Sequence, residues 1–385
     1  MPRHPSWLFK LTLLLTACLT IMAGATISPS LPGITAAFRD TAHIELLSRL
    51  VLTLPALFVV FASPVIGRTA DHLSRKPLLI LTIILYALAG SSGLYLDNIY
   101  GLLVGRALLG IAVAGIMTLG TALVGDYFDS DERDQYMGLQ QAFTGFGGLV
   151  FLTAGGFLAD IDWRYPFAIY AIALLLVPMV WRVLTEPTQD GAAAKAPENA
   201  TVARPTRTLM LCFVAFLASA SFYILPSQLP YRLEDLNFAS SALTGLALGL
   251  MTFVSAMASL SFSRFRKRLG VRVIFLVGLS AMALGITTTG LGAALVVVMC
   301  GTALTGLGMG FVMPNIFSRA MALASSKGRG QTAGFITASL FFGQFVSPFL
   351  SQPIIATFGF TAAFFAAAGV TIAALLPAIL SGNEE

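Results

Sequence analysis

Long apolar stretches alternate with short polar connectors along most of this chain. Counting stretches of roughly 18–25 residues gives twelve spans, at about 11–33, 46–67, 77–96, 99–124, 137–159, 165–182, 209–229, 240–262, 273–290, 293–317, 331–350 and 361–380. A helix of ~20 residues rises ~30 Å, the thickness of a bilayer's hydrocarbon layer, so each stretch predicts one crossing. Only Asp97 and Asn98 part spans 3 and 4, and DYFDSDERDQ, from Asp126 to Gln135, parts spans 4 and 5. Between 183 and 208 the pattern changes: Pro187, Asp190, Gly191, Lys195, Pro197, Glu198 and Pro205 make a polar linker. The pattern predicts an all-α integral membrane protein with a six-helix bundle over 1–182, a linker over 183–208 and a second six-helix bundle over 209–385.

Composition removes the soluble alternatives. Hydrophobic residues make up 57% and charged residues 11%, and mean hydropathy is +0.84; soluble domains carry about 25% charged residues. The pI near 9.2 would suit nucleic acid, but net charge is only +5 and the bases sit in short connectors. They read as an orientation signal, and no nucleic-acid partner is expected. Of 23 Lys and Arg, all but Arg39, Arg49, Arg106, Arg164 and Arg232 lie in the amino-terminal segment, in alternate connectors on its side, or in the linker. That asymmetry predicts both termini in the cytoplasm. It also places the Asn199-Ala200-Thr201 sequon inside the cell. Arg3 and Lys10 ahead of an apolar run look like a secretory signal, but apolar character continues to Leu31 and similar runs follow, so this is read as span 1.

Chemistry of the enzymatic kind finds no footing. Cys18, Cys212 and Cys300 lie within spans without CxxC spacing, and His4, His43 and His72 lie at the amino end or in connectors. No metal site, cofactor or catalytic residue is expected, since no nucleophile–base pair gathers near one interface. A phosphate loop of the form G-x-x-x-x-G-K-[ST] is also missing, which disfavours an ATP-driven pump.

The two halves repeat. A shift of 196 residues carries Gly105 onto Gly301, Gly110 onto Gly306, Met117 onto Met313, Arg133 onto Arg329, Gln135 onto Gln331, Gly138 onto Gly334 and Gly147 onto Gly343. Gly67 falls on Ser263 and Lys76 on Arg272, so the two basic connectors have equal length; at a shift of 197, Pro29-Ser30 meets Pro226-Ser227. Two related bundles joined by a linker is the layout of transporters that rock one bundle against the other around a midplane site.

The connector GRTADHLSRK, Gly67 to Lys76, resembles the loop signature G-x-x-x-D-[RK]-x-G-[RK]-[RK] of the major facilitator superfamily. Gly67, Asp71, Arg75 and Lys76 match; His72 and Ser74 depart from it, and Arg68 stands where an apolar residue is usual. Arg106 and Gly110 fit that family's span-4 pattern R-x-x-x-G, and Trp163-Arg164-x-x-Phe167 is similar to its segment entering span 6. Within the family the chain looks like the bacterial twelve-span efflux branch, the drug or metabolite:proton antiporters. FLTAGG, Phe151 to Gly156, has that branch's paired glycines in span 5 but lacks its proline.

The resemblance implies a monomer in the bacterial inner membrane, exporting small amphipathic organic compounds by alternating access in exchange for protons. It assigns Gly67 a close approach of span 2 to span 11, and Asp71, Arg75, Lys76 and Asp126 a charge cluster that latches one state. Arg106, a charge within a span, is a functional candidate by default, either for substrate or for proton coupling. No Asp or Glu lies in the middle of a span. Together with the missing proline, this keeps open a rival reading: uptake or exchange of a small organic anion held by Arg106. A receptor that transports nothing is a third. If the family layout holds, the cavity draws polar groups from Thr20, Ser28, Gln140, Gln141, Tyr223, Gln228, Asn315 and Gln344, and apolar surface from Met117, Phe222, Met313 and Phe341. Pro29, Pro226 and Pro314 are expected to bend spans 1, 7 and 10, with Asn315 as one partner for a freed carbonyl.

Overall fold

The computed structural model describes residues 6–70, 73–128, 130–184, 205–238, 240–324 and 328–381. Asp71, His72 and the central linker residues fall outside these. Every regular element among the described residues is helical. The crossings are span 1 (Trp7–Ala37), span 2 (Ile44–Ala70), span 3 (Arg75–Leu94), span 4 (Ile99–Tyr127), span 5 (Gln135–Ile161), span 6 (Tyr165–Val183), span 7 (Pro205–Asp235), span 8 (Ser241–Arg266), span 9 (Val271–Leu291) and span 10 (Leu295–Leu323). A final stretch of 53 residues, Arg329–Ser381, follows. At 1.5 Å per residue it would reach roughly 80 Å, more than twice the hydrocarbon thickness. It breaks at Gly359, whose φ of 81° lies in the left-handed region that glycine enters freely. The stretch therefore supplies spans 11 and 12, and the described residues make the twelve crossings the hydropathy pattern predicts. Large apolar side chains such as Phe61, Leu81, Val104, Trp181, Leu209 and Phe358 stand exposed, as a chain solvated by lipid allows.

Two compact units divide the chain, Met1–Ala193 and Ala194–Glu385. Within the first, span 4 packs along spans 2 and 3, and span 1 along span 5; within the second, span 10 packs along spans 8 and 9, and span 7 along span 11. Glycines set these approaches. A methyl group on Gly110 would collide with the Pro55 carbonyl, and one on Gly306 with the Met251 carbonyl; Pro55 and Met251 are themselves 196 residues apart. At another matched contact the small residue has changed sides. Gly115 faces Thr82 in the first unit, whereas Phe311 faces Gly278 in the second. The helix spacing is kept by either arrangement.

The three prolines behave differently. Span 1 is a helix Trp7–Ala25, a 3-10 turn Ser28–Ser30 and a helix Leu31–Ala37. Pro29 sits in that short turn, where its missing N–H is not needed. Span 7 breaks at Tyr223 between helices Pro205–Phe222 and Ile224–Asp235, which puts Pro226 in a first turn. Span 10 instead runs through Pro314 as one helix. The carbonyl of Gly310, four residues back, loses its helical donor there and accepts from the Ser259 hydroxyl of span 8 at 2.9 Å. Asn315 does not take that part: its Nδ2 donates to the Val271 carbonyl at 2.9 Å, tying span 10 to the start of span 9.

Candidate functional site

A cleft of about 300 Å³ opens in the first half between spans 1, 4 and 5. Each span contributes residues one turn apart and so on one face: Thr16 and Thr20, Met117 and Thr121, Tyr136 and Gln140. The threonine hydroxyls donate to their own helices, Thr16 to Thr12 at 2.7 Å, Thr20 to Ala17 at 2.7 Å and Thr121 to Met117 at 2.8 Å. Such back-bonding satisfies the proton of each hydroxyl and leaves oxygen lone pairs as acceptors. Among the described residues no charged side chain lines the cleft. Its amphipathic wall of threonine, glutamine, tyrosine and methionine suits a ligand that is partly apolar and partly hydrogen-bonding. Tyr136 stacks on Phe128 with ring centres 4.8 Å apart, and Lys10 lies 5.5 Å over the Phe128 ring.

Of the expected cavity residues, Thr20, Met117 and Gln140 meet here. Gln141, one position round the helix, is exposed, and Ser28 is buried at the break of span 1. In the second half Gln228 is fully buried and donates to Ser351 Oγ at 2.8 Å, which donates in turn to the Ser347 carbonyl at 3.0 Å. Span 7 is thereby tied to span 11. Met313 packs against the apolar core of that half, Tyr223 is buried at its helix break, and Phe222, Phe341 and Gln344 are half-buried.

Arg106 lies on the same face of span 4 as Met117, eleven residues or about 16 Å away along the axis. It does not line the cleft. Its side chain is fully buried, donates from Nη2 to the Gly90 carbonyl, and sits 4.8 Å from the ring centre of Phe167 and 5.0 Å from that of Tyr170. The local helices explain this box. Tyr165–Leu175 is wound as a 3-10 helix, in which residues three apart eclipse one another, so Phe167 and Tyr170 present their rings together. Gly90 and Gly93 of span 3 carry the same spacing opposite them. A methyl group on Gly90 would come within 2.6 Å of Tyr170 Cβ, and one on Gly93 would collide with the Phe167 ring. Bare backbone at Gly90 also leaves its carbonyl open to the guanidinium. Face-on contact with two rings offsets part of the cost of burying the cation. Nε and Nη1 of Arg106 are buried without an acceptor among the described residues.

Two tyrosines connect the box to span 1. Tyr170 and Tyr86 have ring centres 5.6 Å apart. The Tyr86 hydroxyl donates to the Leu19 carbonyl at 2.7 Å and the Tyr170 hydroxyl to the Met22 carbonyl at 3.4 Å, in the turns just before the span-1 break and beside Thr20. The sequence reading missed Tyr86 and Tyr170. Their only signal in the chain is a phenol placed mid-span, where a buried hydroxyl must find a partner.

At the connector end, Arg75 opens span 3 and forms an ion pair with Asp126 near the end of span 4. The same Nη1 reaches the Ala122 carbonyl at 3.4 Å, so the cation sits where the terminal carbonyls of span 4 favour positive charge. Both side chains are about a quarter exposed, 24% and 27%. Lys76 turns elsewhere and lies 5.4 Å over the Trp181 ring of span 6. Among the described residues of its own half, a methyl group on Gly67 would meet only Thr118 Cγ2 at 3.8 Å, an ordinary contact, so these residues supply no reason for a glycine there. Asp71 lies outside the described residues.

Known proteins share both the sequence and the architecture. The family model described as Major Facilitator Superfamily matches residues 13–210 and 211–384. The class C tetracycline resistance protein of Escherichia coli is 27% identical over 288 residues, 70% of each chain. The puromycin resistance protein pur8 of Streptomyces alboniger is 27% identical over 198 residues, 50% of this chain and 38% of that one. Among solved structures, a D-xylose–proton symporter superposes with a TM-score of 0.78 at 16% identity, covering 96% of this chain and 97% of that one. A bacterial homologue of the human lysosomal transporter Spinster, inward-facing and unoccupied, gives 0.74 at 19% identity, covering 97% and 94%. With the family matched across both halves, and the same two halves repeating in sequence and packing, the chain belongs to the major facilitator superfamily and is a multi-pass membrane transporter rather than an enzyme.

Proposed function

We propose that this transporter exports small amphipathic organic compounds across a bacterial inner membrane in exchange for protons, with both termini in the cytoplasm. The observation that carries the reading is the contrast between the cleft and Arg106. The cleft's described lining carries hydroxyl, amide and thioether groups and no charge on an otherwise apolar wall, while the guanidinium is enclosed by rings and a backbone carbonyl. A wall of that kind accepts a range of partly apolar molecules and does not select for charge. Resemblance to tetracycline and puromycin resistance proteins points the same way. In this reading Arg106 acts on span 1 through Tyr86 and Tyr170, and the Arg75–Asp126 pair, with Asp71, latches one state of the cycle.

The rival, an anion carrier anchored on Arg106, draws support from the two guanidinium nitrogens, Nε and Nη1, that find no acceptor among the described residues. Purified protein in vesicles with an imposed pH gradient separates the two. Tetracycline flux against its own gradient, abolished by a protonophore, is the expected result. No flux of tetracycline or puromycin, or flux indifferent to the pH gradient, overturns the antiport reading. Saturable organic-anion uptake lost in Arg106→Gln establishes the rival.

A further inference from the structure

The second half carries a crevice of about 460 Å³ between spans 8, 9 and 10, separate from every residue assigned above to substrate or latch. On span 8 its wall includes Val254, Met257, Ser261 and Phe265, spaced by three or four residues and so on one face; Val277 of span 9 and Phe311 of span 10 are among the residues facing them. Met257, Phe265 and Val277 stand 38%, 43% and 49% exposed, so the crevice opens sideways toward lipid. From Val254 to Phe265 it runs eleven residues, roughly 16 Å, about half the ~30 Å hydrocarbon thickness. That is the depth of one leaflet.

At the Phe265 end, where that ring meets Phe311 edge-on at 5.3 Å, span 8 passes into Arg264, Arg266, Lys267 and Arg268. None of these four makes an ion pair among the described residues. Between Asp235 and Glu384 the second half holds no Asp or Glu. The first half differs at the matching place, where Asp71 takes the position of Lys267 and Asp126 holds Arg75. We infer that the crevice seats an anionic phospholipid of the leaflet on this connector's side, with an acyl chain along spans 8 to 10 and the phosphate against the cationic connector. Apolar shape, leaflet depth and positive charge without an ion-pair partner among the described residues then serve one ligand.

Spin-labelled phosphatidylglycerol and phosphatidylcholine, each in vesicles of phosphatidylcholine holding the purified transporter, provide the test. The wild type is expected to immobilise phosphatidylglycerol in preference by roughly fivefold or more. The triple change Arg266→Gln, Lys267→Gln and Arg268→Gln is expected to abolish the preference. Ser261→Trp fills the crevice from an exposed position whose hydroxyl bonds only its own helix, at Met257; it is expected to release the lipid with every charge intact. Val65→Trp, its register mate in the first half, should change nothing. If the triple variant fails to insert, raising ionic strength over the wild type asks the same question, because screening weakens headgroup attraction. Equal retention of both lipids, a preference insensitive to charge or salt, retention unaltered in Ser261→Trp, or displacement of the label by a transported compound would each overturn the assignment.

Discussion

In the first half, Arg106 of span 4 lies between two rings and donates to Gly90 of span 3. At the matching position of the second half, Thr302 donates to Met299, three residues back in its own helix. The connector ends differ in the same manner. Arg75 and Asp126 join spans 3 and 4 by an ion pair, while spans 9 and 10 are joined by a neutral bond from Asn315 to Val271. The glycine contacts that set helix spacing, Gly110 on Pro55 and Gly306 on Met251, are common to both. Whatever both halves share is what a six-helix bundle needs in order to pack. Arg106 and the Arg75–Asp126 pair, which the second half lacks, are not demanded by that packing, and those are the charges we assign to transport.

The sharpest way to break this comparison is to exchange its two ends. Arg106→Ala is expected to lower transport by at least ~tenfold, because the box loses the cation its rings and the Gly90 carbonyl were built around. Arg106→Lys should not restore it, since an ammonium cannot stack as a planar guanidinium does. Thr302→Ala, by contrast, should cost about 1 kcal/mol of stability and leave transport per folded molecule unchanged. Equal losses of flux in both would end the argument from asymmetry.

Next in size are the shared contacts. Gly110→Ala and Gly306→Ala should each destabilise by about 1–3 kcal/mol, read as thermal unfolding in detergent, since either methyl meets a backbone carbonyl of a neighbouring span. A large loss in one half with none in the other would contradict the common register. Asp126→Asn is expected to reduce transport several-fold, with insertion intact and a stability change under ~1 kcal/mol, as suits a pair about a quarter exposed. Asp71→Asn should follow the same direction, and full transport by that variant would remove Asp71 from the latch. Smallest is the split between two glutamines: Gln140→Ala should shift the KM for substrate a few-fold, whereas Gln228→Ala should lower stability without moving KM. A KM effect at Gln228 would place it with substrate after all.

Much of this architecture is legible in the chain itself. Apolar run length marks each crossing, and the shift of 196 residues finds the glycines that later prove to touch equivalent carbonyls. Side-chain direction was less legible. The sequence places Gln228 and Asn315 among the cavity polars, yet each turns to a neighbouring helix, because an amide within a membrane gains most from a partner close by. The tyrosine pair holding span 1 escaped notice for a related reason: a hydroxyl aimed at a backbone carbonyl 67 or 148 residues away leaves no local pattern. Span 1 also proved longer than its apolar run, reaching Trp7–Ala37, since the 3-10 turn at Pro29 lets the helix resume beyond it.

Gly359 turns span 11 into span 12 with a single left-handed residue, and from Gly330 to Asn383 the chain holds no charged residue. During synthesis this pair has no charged turn to carry across the bilayer and no basic flank between its members to orient them separately. The two are thereby suited to enter as one hairpin, their direction set by Arg329 and the bases upstream of it.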